Sequence, residues 1–125
     1  MHENDISYAI RGAAFKIHTA LGPGLLESAY EAALSYELRN DGYEVKSQLG
    51  LPFIYGDIKL DVGYRIDLLV NDKVIIEIKS VETLTDVHHK QVLTYLKLSD
   101  KKLGLLINFN VASLKDSIVR IVNNI

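Results

Sequence analysis

Asp67, Glu77 and Lys79 place two carboxylates and an ammonium in the segment Val62-Gly-Tyr-Arg-Ile-Asp-Leu-Leu-Val-Asn-Asp-Lys-Val-Ile-Ile-Glu-Ile-Lys-Ser80, which otherwise reads as a buried β-hairpin. The runs Leu68-Leu69-Val70 and Val74-Ile75-Ile76 have the composition of strands covered on both faces. An unpaired charge in such a place costs on the order of several kcal/mol, and a bound metal ion would remove that cost. Residues two apart on a strand share a face, so Glu77 and Lys79 point one way while Ile76 and Ile78 point the other. The register decides whether Asp67 joins them. If Val70 pairs with Val74 across a three-residue loop, Asp67 lies directly opposite Glu77; if Val70 pairs with Lys73 across a two-residue loop, Asp67 faces Ile76.

Two carboxylates opposed across strands repel one another, and a divalent cation between them turns that penalty into binding. Mg²⁺ suits such a site, with Mn²⁺ as a substitute, because it is satisfied by one or two carboxylates, waters and phosphate oxygens at about 2.0–2.1 Å. An ammonium at Lys79 could then orient or deprotonate an attacking water, or stabilise charge developing on phosphate. The set fits metal-assisted hydrolysis of a phosphodiester better than acyl or hydride transfer. The sequence has no nucleophile elbow, dinucleotide fingerprint or phosphate-binding P-loop to point elsewhere.

The elements that must hold these groups follow from periodicity. Asn4 or Asp5 can cap a first helix whose apolar positions Ile6, Ala9, Ile10, Ala13, Ala14, Ile17 and Leu21 recur at three-and-four spacing, until Leu21-Gly-Pro-Gly24 stops it. A second helix is expected from about Leu25 to Asn40, with Leu26, Ala29, Tyr30, Ala33, Leu34 and Leu38 facing inward, ending before Asp41-Gly42. Tyr43 to Leu51 and Pro52 to Tyr55 read as extended, Gly56-Asp57 as a turn, and Ile58 to Val70 with Val74 to Val81 as the hairpin around Asn71-Asp72-Lys73. Thr85 or Asp86 can cap a third helix reaching about Leu98, Leu103 to Ile107 is a short buried strand, and Leu114 to Val122 is expected as a terminal amphipathic helix. The order α, α, β, β, β, α, β, α implies a mixed α/β fold, with an antiparallel meander, a helical crossover, and helices against a central sheet.

Gly63-Tyr-Arg-Ile-Asp67 followed by Glu77-Ile-Lys79 resembles the metal-binding core of the PD-(D/E)XK nuclease superfamily. Gln91-Val-Leu-Thr-Tyr95 resembles the Q-x-x-x-Y helix motif of its RecB and phage exonuclease branch, and Gly24-Leu-Leu-Glu27-Ser-Ala-Tyr30 is similar to the signature of the GxxExxY proteins within it. The resemblance runs from about Ile6 to Val122 and implies an α-β-β-β-α-β core. It further implies Asp67 and Glu77 as Mg²⁺ ligands, the Ile78 carbonyl as a third, and Lys79 acting on water. Glu27 would face the metal from the second helix, with Gln91, Tyr95 and Tyr30 supporting the site or the substrate. Ile66 stands where some relatives carry proline, and Asn110 where glycine is expected.

Each piece also has a plain structural reading. Glu-x-Lys on a strand is commonly a solvated face or a surface ion pair. Glu27 can complement a helix dipole beyond Gly24, and Gln91 with Tyr95 can be a surface glutamine above a packed tyrosine. Adjacent helical residues point about 100° apart, so His88-His89 cannot chelate as a unit and is read as solvent-facing or capping. Tyr8, Tyr36, Tyr43, Tyr55 and Tyr64 are read as core or rim aromatics, not a stacking platform for bases.

At 125 residues and 48% hydrophobic content, the chain fits one domain, spanning 1–125, with a real core. The absence of cysteine leaves only oxygen and imidazole ligands for a metal. No stretch approaches a membrane span, and Met-His-Glu-Asn-Asp does not begin a signal peptide, so a soluble cytoplasmic protein is expected. Fourteen basic against sixteen acidic residues give a net charge of −2, which argues against strong non-specific binding to nucleic acid. The expected partner is nucleic acid, DNA before RNA, weakly held, with self-association or a partner protein helping to hold it.

Overall fold

The computed structural model describes residues 1–124, apart from the side chain of Val62. Its elements run α1 (Glu3–Leu21), α2 (Glu27–Asn40), β1 (Val45–Tyr55), β2 (Ile58–Val70), β3 (Val74–Lys79), α3 (Asp86–Ser99), β4 (Leu103–Asn108), a 3₁₀ turn (Leu114–Asp116) and β5 (Ile118–Val122). The five strands form one mixed sheet in the order β1-β2-β3-β4-β5. Only β3 and β4 are parallel, joined by α3 as crossover; the other neighbours are antiparallel. This is the expected α-β-β-β-α-β core.

Helices cover both faces. Ile6, Ile10, Ala14 and Ile17 of α1, with Tyr30, Leu34 and Leu38 of α2, pack on Leu68, Val70, Ile76, Ile78, Leu105 and Ile107. Val92, Tyr95 and Leu96 of α3 pack on Leu51, Ile66, Leu69, Ile75 and Leu106 from the other side. Each buried aliphatic side chain contributes roughly 1.5–3 kcal/mol, so the central strands β3 and β4 anchor the fold. Gly104 sets how closely α3 approaches: a Cβ there would lie 2.7 Å from Val92 Cγ1. Among the described residues, no helix is long and apolar enough to cross a membrane.

Several expectations are corrected. Leu114 to Val122 is not a helix but a single 3₁₀ turn followed by β5, which pairs antiparallel with β4. Its run Ile-Val-Arg-Ile-Val is β-branched at four of five positions, which disfavours helix and suits the open edge of a sheet. The first helix is capped by His2, whose Nδ1 accepts from the Asn4 amide, and not by Asn4 or Asp5. The second starts two residues later than expected, at Glu27, with Leu26 and Ala29 exposed; Leu21 is also exposed. Residues 45–55 make one strand that continues through Pro52, beside which the register with β2 shifts between Leu51 and Phe53. Tyr8, Tyr36 and Tyr55 are exposed, outside the core. The reading of His88 and His89 as capping residues agrees with the structure: the Thr85 amide donates to His88 Nδ1, and His89 Nδ1 lies 2.9 Å from the Thr85 carbonyl.

Candidate active site

The hairpin joins β2 to β3 through Asn71-Asp72-Lys73, with Val70 paired to Val74, Leu69 to Ile75 and Leu68 to Ile76. That is the three-residue register. Asn71 and Asp72 both take positive φ, at 50° and 59°, a conformation these two residue types tolerate better than most. The next positions outward are Asp67 and Glu77. There the backbone ladder gives way to side chains: the Asp67 amide donates to Glu77 Oε1 at 3.1 Å, and the Ile78 amide donates to Asp67 Oδ2 at 2.8 Å. Each carboxylate is thus oriented by one backbone donor on the opposite strand.

Glu77 is only 4% exposed. By strand alternation it lies on the α3 side of the sheet, opposite to Ile76 and Ile78. Burial, reinforced by the neighbouring charge of Asp67, pushes its carboxyl up to about 8; the Asp67 amide and Lys79 act in the other direction. Asp67, half-buried, is also raised, mainly by burial, against the opposing effects of the Ile78 amide, Gln48 and Lys79. Among the described residues, neither carboxylate has a lysine, arginine or histidine within ion-pair distance. A buried acid without a countercharge is where a cation gains most from binding.

Asp67 opens onto a cavity of about 650 Å³, whose wall also includes Leu25, Leu26, Glu27, Glu31, Gln48 and Ser80. Glu77 is not part of this wall and reaches it only through Asp67, whose amide it accepts from. Glu27 and Glu31 are one helical turn apart on α2 and present two further carboxylates from across the cavity. Glu27 Oε2 accepts from the Ser80 amide at 3.1 Å, while Ser80 Oγ donates to the Leu25 carbonyl at 2.7 Å. These bonds fasten the start of α2 to the end of β3. Burial raises the Glu31 carboxyl, Gln48 opposes this, and the charge of Asp67 adds to it.

Tyr30 is fully buried and works from behind the cavity. Its hydroxyl donates to the Gly22 carbonyl at 2.6 Å and accepts from the Leu25 amide at 3.2 Å, and its ring stacks on Phe109 with centroids 4.4 Å apart. In this way Tyr30 shapes the Gly-Pro-Gly turn that delivers Glu27. Asn108, buried at the end of β4 and level with Lys79 in the parallel ladder, clamps the segment after Lys79: it accepts from the Val81 amide and donates to the Val81 carbonyl. Tyr95 on α3 lies close enough to Glu77 and Asp67 for their charges, added to burial, to push its hydroxyl up to about 12. It also packs against Tyr64, with centroids 5.7 Å apart. Gln91, one turn earlier on α3, is half-buried and makes no hydrogen bond to the carboxylates among the described residues.

Asp67, Glu77, Lys79 and Glu27 therefore gather at the end of β3, between α2 and α3. Glu31, Gln48, Ser80 and Asn108 did not emerge from the sequence. Glu31 had a signal, the four-residue spacing from Glu27. Gln48 had none until the β1–β2 register placed it across from Asp67.

The donor set fits a divalent cation that keeps much of its water. Glu77 Oε2 and Asp67 Oδ1 are not taken up by the backbone bonds above, and Ile78, whose amide holds Asp67, directly follows Glu77. Among the described residues, no group of three or more acidic or histidine side chains stands close enough to hold a metal ion by itself, so a cation here would need backbone, water or substrate oxygens as well. Among known proteins, a model of the PD-(D/E)XK nuclease superfamily matches residues 4–121. No curated protein and no solved structure matches the chain. Nucleases of this superfamily generally use divalent metals. With the match covering nearly the whole length and the core in the expected order, the chain belongs to the PD-(D/E)XK nuclease superfamily.

Proposed function

We propose that this protein is an Mg²⁺-dependent nuclease, with Mn²⁺ able to replace Mg²⁺, that hydrolyses phosphodiester bonds of nucleic acid, DNA before RNA. The observation that carries this reading is the opposition of Asp67 and Glu77 on neighbouring strands, Asp67 opening onto an acidic cavity, with no cationic side chain among the described residues within ion-pair distance of either. Asp67, Glu77 and the Ile78 carbonyl would hold the cation. When bound, it would supply a more acidic water and neutralise charge on the phosphate. Lys79, on the Glu77 face of β3, orients the attacking water and stabilises developing phosphoryl charge. Glu27 and Gln91 support the site from α2 and α3, Tyr95 walls the carboxylates off on the α3 side, and Tyr30 holds the turn that carries Glu27. The spacing Gly24, Glu27 and Tyr30, with Glu27 on the cavity wall and Tyr30 buried behind it, supports a place in the GxxExxY group.

A Mn²⁺ titration by calorimetry on the wild type, Asp67→Ala and Glu77→Ala tests the site. Binding by the wild type and its loss in both variants is expected; absence of wild-type binding refutes the reading. Single-stranded, duplex, flap and junction DNA and RNA, with Lys79→Ala alongside, then identify the substrate. A second reading, a non-catalytic assembly module that retains the fold, is favoured by one observation: Phe53, Tyr55, Ile58 and Leu60 lie toward the tip of the β1–β2 hairpin, the last three of them exposed. An apolar ribbon of that kind suits self-association or a protein partner. Concentration-dependent sedimentation without any nuclease activity would favour it.

A further inference from the structure

We propose that Gln48 is a positioning residue that ties Glu31 of α2 to Asp67 of β2 and so fixes the geometry of the acidic site. Gln48 lies across from Asp67 in the β1–β2 ladder, between the pairs Ser47 with Leu68 and Leu49 with Ile66. Its own backbone leaves the strand conformation, with φ at 51°. That region is strained for a residue with an ordinary side chain, and neither Gly, Asn nor Asp stands here to relieve it. The kink interrupts the ladder, and the displaced Gln48 carbonyl is instead satisfied by Arg65 Nη1 at 3.2 Å.

What the kink brings about is visible in the side chain. Gln48 Nε2 donates to Glu31 Oε1 at 2.7 Å and to Asp67 Oδ1 at 3.3 Å. A single amide thus spans two carboxylates that would otherwise repel, and it does so with a neutral donor that brings no competing charge. A lysine or arginine here would also quiet the repulsion, but it would neutralise the cavity that a cation is to enter. With both N–H groups committed, Oε1 remains as an acceptor on the cavity wall, suited to a metal-bound water or a substrate hydroxyl. Strain retained on the backbone, together with a bridge between two elements at the cavity, marks function and not folding as the reason for this residue.

The role rests on the metal reading above, and the test separates the two. Gln48→Gly accommodates the positive φ and deletes the bridge; Gln48→Ala deletes the bridge but keeps the strain. In EDTA, thermal unfolding of Gln48→Gly is expected above that of Gln48→Ala, because both lose the bridge and only the glycine releases the strain. Mn²⁺ affinity by calorimetry is expected to fall about 10-fold or more in both variants, as for other groups that orient metal ligands. Wild-type affinity in Gln48→Gly would overturn the role while leaving the metal site standing. Loss of thermal stability in Gln48→Gly together with unchanged affinity would show a merely structural residue. No Mn²⁺ binding by the wild type would overturn the metal reading and this role with it.

Discussion

Replacing Glu77 by glutamine should make the metal-free protein more stable, and increasingly so as pH rises. The glutamine is close in shape and its Oε1 can still accept from the Asp67 amide, so the bond at 3.1 Å survives while the charge is removed. In the folded wild type the Glu77 carboxyl titrates at about 8 in place of 4.5. At about 1.36 kcal/mol per pH unit, that gap amounts to roughly 5 kcal/mol against the ionised folded state, and relaxation around the charge brings the expected gain to about 2–4 kcal/mol.

The sign follows from which state holds the proton more tightly. The folded pKa lies above the unfolded one, so the wild type keeps this contribution in full below about pH 4.5. It loses it progressively as pH rises toward about 8, and nothing further is lost above that. Glu77→Gln has no such slope, and Asp67, raised in the same direction, is present in both proteins and largely cancels in the comparison. Urea unfolding in EDTA at acid, neutral and alkaline pH measures the difference directly. It should be near zero at the acid end and reach its plateau above pH 8. Adding Mn²⁺ should close or reverse the gap: at a thousandfold excess over Kd the wild type gains about 4.1 kcal/mol by mass action, and the variant gains little. A glutamine variant less stable than wild type at every pH, or a difference that does not change with pH, would refute the argument that Glu77 is a buried acid awaiting a cation.

Other substitutions probe the frame around the site. Lys79→Met should lower cleavage by about 10²- to 10⁴-fold, with Mn²⁺ affinity retained, so calorimetry and turnover should separate. Asn108→Ala strips the Val81 amide and carbonyl of their buried partner and should cost about 1–3 kcal/mol in urea unfolding, with Mn²⁺ binding weakened because the chain after Lys79 is released. Tyr30→Phe keeps the stack on Phe109 but frees the Gly22 carbonyl and the Leu25 amide; a loss of about 1–2 kcal/mol is expected, read by thermal unfolding. Gly104→Ala sets a methyl 2.7 Å from Val92 Cγ1 and should destabilise by about 1–3 kcal/mol, with Val92→Ala restoring part of the loss.

The central hairpin was legible because its signals are local. Alternation fixed which residues of β3 share a face, and the choice between two- and three-residue loops reduced the position of Asp67 to one question of register. Helix α3 was legible for the same reason, since Thr85 caps it and the apolar spacing follows at once. The chain end was misread because Leu114 to Val122 carries an apolar pattern that serves either a helix or an edge strand. What decided it was the free edge of β4, a long-range fact the local sequence does not contain. Helix α2 was placed correctly overall, but at its exposed start Leu26 lines the cavity and Ala29 faces outward, neither lying over the core.

The half of the site that stayed hidden has a common physical cause. Asp67, Glu77 and Lys79 announce themselves as charges among apolar neighbours, where burial makes them conspicuous. Glu31 and Gln48 sit on elements whose outward faces are polar anyway, so neither stands out until α2 and β1 are folded against β2. Their meaning lies in a relation: an amide between two carboxylates, held there by a backbone angle that the strand would not otherwise adopt. A site assembled from three elements distant in sequence divides its labour accordingly. The ligands must be unusual residues in a buried place, whereas the groups that orient them can be common residues in an unusual conformation. For this chain the second kind is testable without any substrate, because Gln48→Gly should be more stable than Gln48→Ala while both bind the cation more weakly than the wild type.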